Sequence, residues 1–269
     1  TGVMAVLPSD HVISAKGAKK FQRILEDSFD LASCGQAIIT IGIQPTSPET
    51  GYGYIQAGEA LPAVPGRKPY KTVFHRAERF VEKPHFDKAV RLVNSGDYRW
   101  NAGMFVFSFA TIIESLLKHQ KPLHAACEKW FHIAGNPAKL KRALKKDYPE
   151  LKKTSFDYAV MEHAQNVIVA DGDFDWDDLG ALPALARHLK ADAEGNCANA
   201  DFIHVDAARN VIFDTRPAKQ RTPIALVGLR DCVIVQTADV TLITHKRDAQ
   251  KVRELVKNLA ESKAHKHLV

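Results

Sequence analysis

The stretch Phe174–Gly180, FDWDDLG, constrains this chain more than any other. It sets three carboxylates, Asp175, Asp177 and Asp178, among the apolar Phe174, Trp176 and Leu179, which must point at something buried. Carboxylates held side by side against a core repel one another and lose hydration, so a cation or strong donors must offset the cost. A second acidic candidate, Asp10, lies far upstream in Val6-Leu7-Pro8-Ser9-Asp10-His11. The expectation is that Asp10 and one of the downstream aspartates meet around a divalent metal in a phosphate-handling site.

A chain of 269 residues holds one large α/β domain, or a medium domain plus a small one. A composition 45% hydrophobic and 25% charged is that of an ordinary globular protein. The net charge of +6 reads either as solubility or as attraction of an anionic substrate. The densest basic cluster, Lys139-Leu140-Lys141-Arg142 with Lys145-Lys146, fits one polar helix face and has no interleaved aromatics, so no nucleic-acid partner is expected. No apolar run approaches the ~20 residues that span a bilayer, so no membrane partner is expected either. Cys34, Cys127, Cys197 and Cys232 are scattered without CxxC spacing. They point away from a zinc site or disulfide framework and, with no signal-peptide pattern, toward a reducing cytoplasm. The apolar run Val3–Leu7 begins without an initiator Met or a lead-in, so the chain reads as cut from something longer.

Val3–Leu7 reads as an interior parallel strand, with Asp10 just beyond its carboxyl end, the edge where open α/β sheets bind ligands. Phe21, Ile24, Leu25 and Phe29 follow at helical spacing, and Ala37–Ile43 is the next strand, an order that argues for a doubly wound sheet. Tyr70–Val81 reads as extended, Phe86–Val93 as a helix and Met104–Phe109 as a strand. Ile112–Leu117, Ala125–Ile133, Leu140–Leu144, Phe156–His163 and Leu182–Leu189 read as helices, and Asn166–Ala170 as a strand. Composition shifts near Ala191, placing a boundary at about residue 190. Beyond it, Phe202–Val205, Val211–Phe213, Ile224–Val227, Cys232–Val235 and Val240–Ile243 suit a small β-meander or a short β-solenoid, closed by a helix over Lys246–Leu259.

Four further groups bear chemistry. The loop Thr50–Ile55, TGYGYI, has glycines that let a backbone approach a ligand, but it lacks the phosphate-loop and dinucleotide patterns and reads by itself as a tight hairpin turn. Glu82-Lys83-Pro84 ends an extended segment, where neighbouring side chains point to opposite sides. There Glu82 can take hydroxyl hydrogen bonds and Lys83 a phosphate, or the two are a surface ion pair. Trp100-Asn101-Ala102-Gly103 is either a packed turn or an amide placed to pair with a ligand hydroxyl. Asp157 reads as a helix-start cap. His11 is a candidate acid or base, read chiefly as a structural hydrogen-bond partner.

Taken in order, LPSDH (Leu7–His11), GIQPTSPETGYGYI (Gly42–Ile55), FVEKP (Phe80–Pro84), WNAGMF (Trp100–Phe105), SFDYAVME (Ser155–Glu162) and FDWDDLG resemble the mannose-1-phosphate guanylyltransferases, a family of sugar nucleotidyltransferases. PIALVGLRDCVIVQT, at Pro223–Thr237, resembles the family's later β-rich segment. The resemblance implies a Rossmann-like α/β nucleotidyltransferase core over residues 1–190, lacking its N-terminal part. It implies a left-handed β-helix-like domain with a terminal helix over 191–269. The implied reaction is mannose 1-phosphate plus GTP giving GDP-mannose and pyrophosphate, with Mg2+ on Asp10 and Asp178. By the same resemblance Glu82 holds sugar hydroxyls, Lys83 holds the sugar phosphate, and Asn101, Asp157 and the Gly51-Tyr52-Gly53 backbone surround the sugar. Ala102 replaces the more usual serine of WNSGMF.

Family members begin with a glycine-rich GGxGxR loop that cradles the triphosphate, and no such motif precedes Asp10 here. The expectation is a chain with little activity alone. The alternatives are a pyrophosphorylase for another sugar 1-phosphate or a non-catalytic sugar-phosphate-binding subunit. The β-rich tail offers edges through which two copies could pair as a homodimer.

Overall fold

The computed structural model describes residues 2–62, 69–180, 186 and 189–268. Most of the helix expected over Leu182–Leu189 lies outside the described residues. The chain forms two compact units, Thr1–Asp178 and Leu179–Val269.

The first unit starts with strands β1 (Val3–Val6) and β2 (Val12–Ile13) and helix α1 (Ala15–Cys34), then β3 (Ile38–Ile43), β4 (Tyr54–Ala60) and β5 (Phe74–Val81). Helix α2 (Phe86–Ser95), strand β6 (Tyr98–Ser108) and helices α3 (Phe109–His119), α4 (Lys121–Ile133) and α5 (Pro137–Asp147) follow. A single π-helical turn, Asp157–Met161, precedes β7 (Val167–Gly172) and β8 (Trp176–Asp177). Local chemistry sets the ends: Ser14 Oγ accepts from Lys16 N and Gly17 N at the start of α1, and Gly96 closes α2 at φ +79°, where a side chain would be strained.

Six strands form one sheet in the order β1-β6-β3-β7-β5-β4, and β4 also pairs with β6. Every residue of β3 is buried, as expected for a strand covered on both faces. Ile39, Ile41 and Ile43 enter one core with Ile24, Tyr54 and Trp100; Ile38 enters another with Phe105, Phe107, Val160 and Met161.

Two expectations change here. Val3–Val6 is not an interior parallel strand: it pairs antiparallel to β6 at one end of the sheet order, and alternate residues, Met4 and Val6, are exposed. Its apolar run fits either arrangement, because periodicity does not report the direction of a neighbour. Within this sheet only β3 and β7 pair parallel among the described strands, so the sheet is mixed rather than uniformly doubly wound.

The second unit is β-rich, with β9 (Cys197–Ala198), β10 (Phe202–Val205), β11 (Val211–Asp214), β12 (Ile224–Val227), β13 (Cys232–Gln236), β14 (Thr241–His245) and helix α6 (Val252–Glu261). It coils rather than meanders. β9, β11 and β13 stack parallel with Cys197, Val211 and Val233 in register, while β10 and β12 form a second parallel wall. β14 turns back antiparallel on β13 and ends the coil. The fully buried Asn196 and Asn210 run between circuits: Asn210 Nδ2 donates to Asn196 Oδ1 and Leu229 O, and Asn210 Oδ1 accepts from Cys232 N.

Candidate active site

The acidic stretch meets Asp10 through a two-residue ladder. β2 and β8 pair antiparallel with Val12 opposite Asp177 and Ile13 opposite Trp176, so the ends carrying Asp10-His11 and Asp178 come together. The electrostatics agree: Asp10, Asp178 and Asp177 all act on the His11 imidazole. Trp176 Nε1 donates to His11 Nδ1 at 3.1 Å. An indole nitrogen only donates, so His11 Nδ1 carries no proton. Burial lowers the His11 pKa against the pull of the three carboxylates.

The other two aspartates of the stretch take different places. Asp177 is buried within β8. Asp175 reaches the first turn of α1, where its Oδ1 occupies the space a side chain on Gly17 would need. A carboxylate there meets the positive end of the helix.

Tyr52 joins this acidic corner to the rest of the site. Its hydroxyl donates to Asp178 Oδ1 at 2.7 Å, its carbonyl accepts from Lys83 N at 3.2 Å, and its ring meets Trp100 and Trp176 edge-on. Gly53 O accepts from Asn101 N at 2.8 Å. The TGYGYI segment is therefore not a hairpin turn: β3 and β4 do not pair with each other, and neither Gly51 nor Gly53 has positive φ. Gly53 is needed for space, because a Cβ there would stand 2.6 Å from Glu82 Oε2.

Glu82 and Lys83 do not point apart. Lys83 Nζ donates to Glu82 Oε1 at 2.6 Å. The strand ends at Val81, and Lys83 adopts φ +44° before Pro84, so the alternation of an extended chain stops one residue earlier. A left-handed lysine before proline is strained backbone of the kind that collects at functional sites. The Glu82 side chain is 6% exposed and that of Lys83 49%. Burial raises the Glu82 pKa, with the Lys83 hydrogen bond opposing and Asp157 reinforcing the rise; the bond to Glu82 raises that of Lys83.

Asn101 lies inside β6, not in a turn before it. Its Oδ1 accepts from Thr40 Oγ1 at 2.9 Å and from Gly103 N at 3.2 Å, and its Nδ2 donates to Asp157 Oδ1 at 2.9 Å. Asp157 is thereby drawn to the sheet instead of capping a helix; Ser155 Oγ takes the neighbouring Tyr158 N. Glu162 N donates to Asp157 O, the wide π-turn bond that fits the extra residue in. Ala102 is 1% exposed, and Gly103 takes φ +66°, close to where β6 exchanges β4 for β1 as a neighbour. A cavity of about 490 Å³ lined by Gln36, Arg76, Glu78 and Asn166 shares none of these residues.

Three contributors were not singled out from sequence: Thr40, Trp176 as a donor, and the Tyr52 hydroxyl. Thr40 had a visible signal, a lone hydroxyl in the otherwise apolar Ile38–Ile43 run.

Comparison with known proteins agrees with this layout. Residues 1–195 match the family model for nucleotidyl transferases, and residues 200–259 match the MannoseP isomerase/GMP-like beta-helix domain. Xanthan biosynthesis protein XanB of Xanthomonas campestris pv. campestris is 35% identical over 257 residues, 96% of this chain and 51% of that protein. The mannose-1-phosphate guanylyltransferase of Escherichia coli K12 is 33% identical over 267 residues, 99% of this chain and 53% of that protein. The chain thus spans about half the length of these curated relatives. A crystal structure from Thermus thermophilus, described as a mannose-1-phosphate geranyltransferase, superposes with a TM-score of 0.77 at 32% identity over 96% of this chain and 69% of its own. With a matched catalytic-type domain over most of its length and a β-helix-like domain behind it, the chain belongs to the nucleotidyl transferase family.

Proposed function

We propose that the protein carrying this chain transfers GMP from GTP to mannose 1-phosphate, giving GDP-mannose and pyrophosphate. The observation that carries the reading is Tyr52, whose hydroxyl bonds Asp178 and whose carbonyl bonds Lys83 N, which supports taking the acidic pair and the Glu82-Lys83-Asn101-Asp157 group together as one site. Relatives named mannose-1-phosphate guanylyltransferase support the choice of sugar.

Positioning and charge neutralisation do most of the work in such transfers. Glu82 accepts sugar hydroxyls from its buried position, with Asn101, Asp157 and the Gly51-Tyr52-Gly53 backbone around the ring. Lys83, half exposed and with three donors, keeps its bond to Glu82 while adding one to the sugar phosphate. That phosphate oxygen then attacks the α-phosphorus of GTP in line, and pyrophosphate leaves. Asp10 and Asp178 fit a magnesium ion: both offer hard carboxylate oxygens, and the β2–β8 ladder brings the segment ends that carry them together. When bound, the ion supplies neutralisation of the phosphate oxygens.

Residues 1–190 form the sugar-phosphate side in this reading and 191–269 the β-helix-like domain. No described helix is long and apolar enough to cross a membrane. A cytoplasmic homodimer is part of the proposal, tested by light scattering. Calorimetry tests the substrate: mannose 1-phosphate must bind saturably and more tightly than glucose 1-phosphate, with loss in Lys83→Ala. Equal binding of the two sugars refutes the assignment.

A further inference from the structure

Tyr52 is tied down at both ends, by Lys83 N on its carbonyl and by Asp178 Oδ1 on its hydroxyl. Between them the ring is gripped edge-on, with centroids 5.1 Å from Trp100 and 5.5 Å from Trp176. Trp176 is itself anchored, because its indole hydrogen goes to His11. A tyrosine so enclosed keeps one rotamer, which holds its hydroxyl against Asp178. A phenol bonded to one carboxylate oxygen stops the carboxylate from turning about its last bond and fixes the direction of the second oxygen.

Resting on the function proposed above, we infer that Tyr52 is a positioning residue for Asp178. Its hydroxyl orients the carboxylate that takes the divalent cation, and its carbonyl sets the Lys83 backbone in the same stroke. The side chain serves the cation while the loop backbone serves the sugar.

Mn2+ is the probe, followed by electron paramagnetic resonance in the presence of mannose 1-phosphate, with thermal unfolding of the same samples. Wild type, Tyr52→Phe, Tyr52→Leu and Asp178→Asn are compared. Tyr52→Phe keeps the ring packing, so its Tm stays near wild type while Mn2+ affinity falls roughly tenfold. Tyr52→Leu loses Mn2+ affinity and Tm together, and Asp178→Asn loses saturable Mn2+ binding. A purely structural tyrosine would lower Tm and leave Mn2+ affinity alone. Wild-type Mn2+ affinity in Tyr52→Phe overturns the inference and leaves the proposed function standing. No saturable Mn2+ binding in wild type overturns the metal reading and the inference with it. Loss of mannose 1-phosphate binding alone, with Mn2+ binding intact, refutes the substrate, and the Tyr52→Phe comparison still decides the inference.

Discussion

Glu82 and Gly53 share one corner of the site: the carboxylate Oε2 lies 2.6 Å from the point where a Cβ on the glycine would stand. Phe80 and Asn101 close the same corner at 3.1 and 3.3 Å, so a methyl there must push the end of the Glu82 side chain aside. Gly53→Ala is expected to cost about 1–3 kcal/mol of stability through overpacking. It should also lower mannose 1-phosphate affinity at least about tenfold, about 1.4 kcal/mol, by displacing Glu82. Gly51→Ala meets nothing within 4 Å and should leave Tm unchanged. Calorimetry and thermal melts of the two variants decide; a wild-type Gly53→Ala removes Glu82 from the pocket wall.

Lys83→Met strips the buried Glu82 of its partner. Glu82 already titrates above the usual carboxylate range because burial disfavours its charge. A folded-state pKa above the unfolded one gives stability present at low pH and lost as pH rises through the folded pKa. Removing Lys83 raises that pKa further. The variant should therefore match wild type at acid pH and fall behind it, by about 1–3 kcal/mol, once pH passes the Glu82 titration. Denaturant melts across pH 4–8 test this; a pH-independent difference contradicts it.

Asp175 and Asp178 of FDWDDLG should separate by role. Asp178→Ala is expected to abolish metal-dependent turnover of the whole protein. Asp175→Asn should leave metal dependence alone and cost about 0.3–1 kcal/mol through the first turn of α1. Equal loss of metal dependence in both variants would show that the stretch acts as a diffuse acidic patch.

In the second unit, Asn210→Ala removes a side chain that bonds Asn196, Leu229 and Cys232 across the circuits. Buried backbone groups are left without partners, at about 1–3 kcal/mol each. Hydrogen exchange should show β11 and β13 opening before the core of the first unit does; unchanged protection at Cys232 N refutes the role.

Much of this was legible in the amino-acid order, and the limits were specific. The run Ala37–Ile43, apolar but for Thr40, announced a strand, and the spaced runs after Phe202 marked the coil strands at nearly their observed bounds. Pairing direction was not legible, which is why Val3–Leu7 was read as an interior parallel strand; Trp100–Gly103, read either as a packed turn or as an amide facing a ligand, lies inside β6. At the site, Asp10 could be nominated from its place beyond a strand and the FDWDDLG carboxylates from their apolar neighbours, with Asp178 picked out among them only by the family resemblance; the two-residue ladder joining the two segments has no periodicity to read. Lys83 shows the same limit at one residue. A single left-handed φ, invisible in the letters EKP, turns two side chains expected to diverge into a bonded pair.

The coil repeats unevenly. Cys197, Val211 and Val233 stand in register, so one circuit takes 14 residues and the next takes 22. The walls and the inner asparagines are nevertheless aligned, and the surplus lies in the corner between β11 and β12, around the short helical turn Ala218–Gln220. That corner carries the longer circuit without disturbing the stack. It is where a foreign peptide could be grafted, or a loop trimmed, while the asparagine rail continues to hold the strands in step.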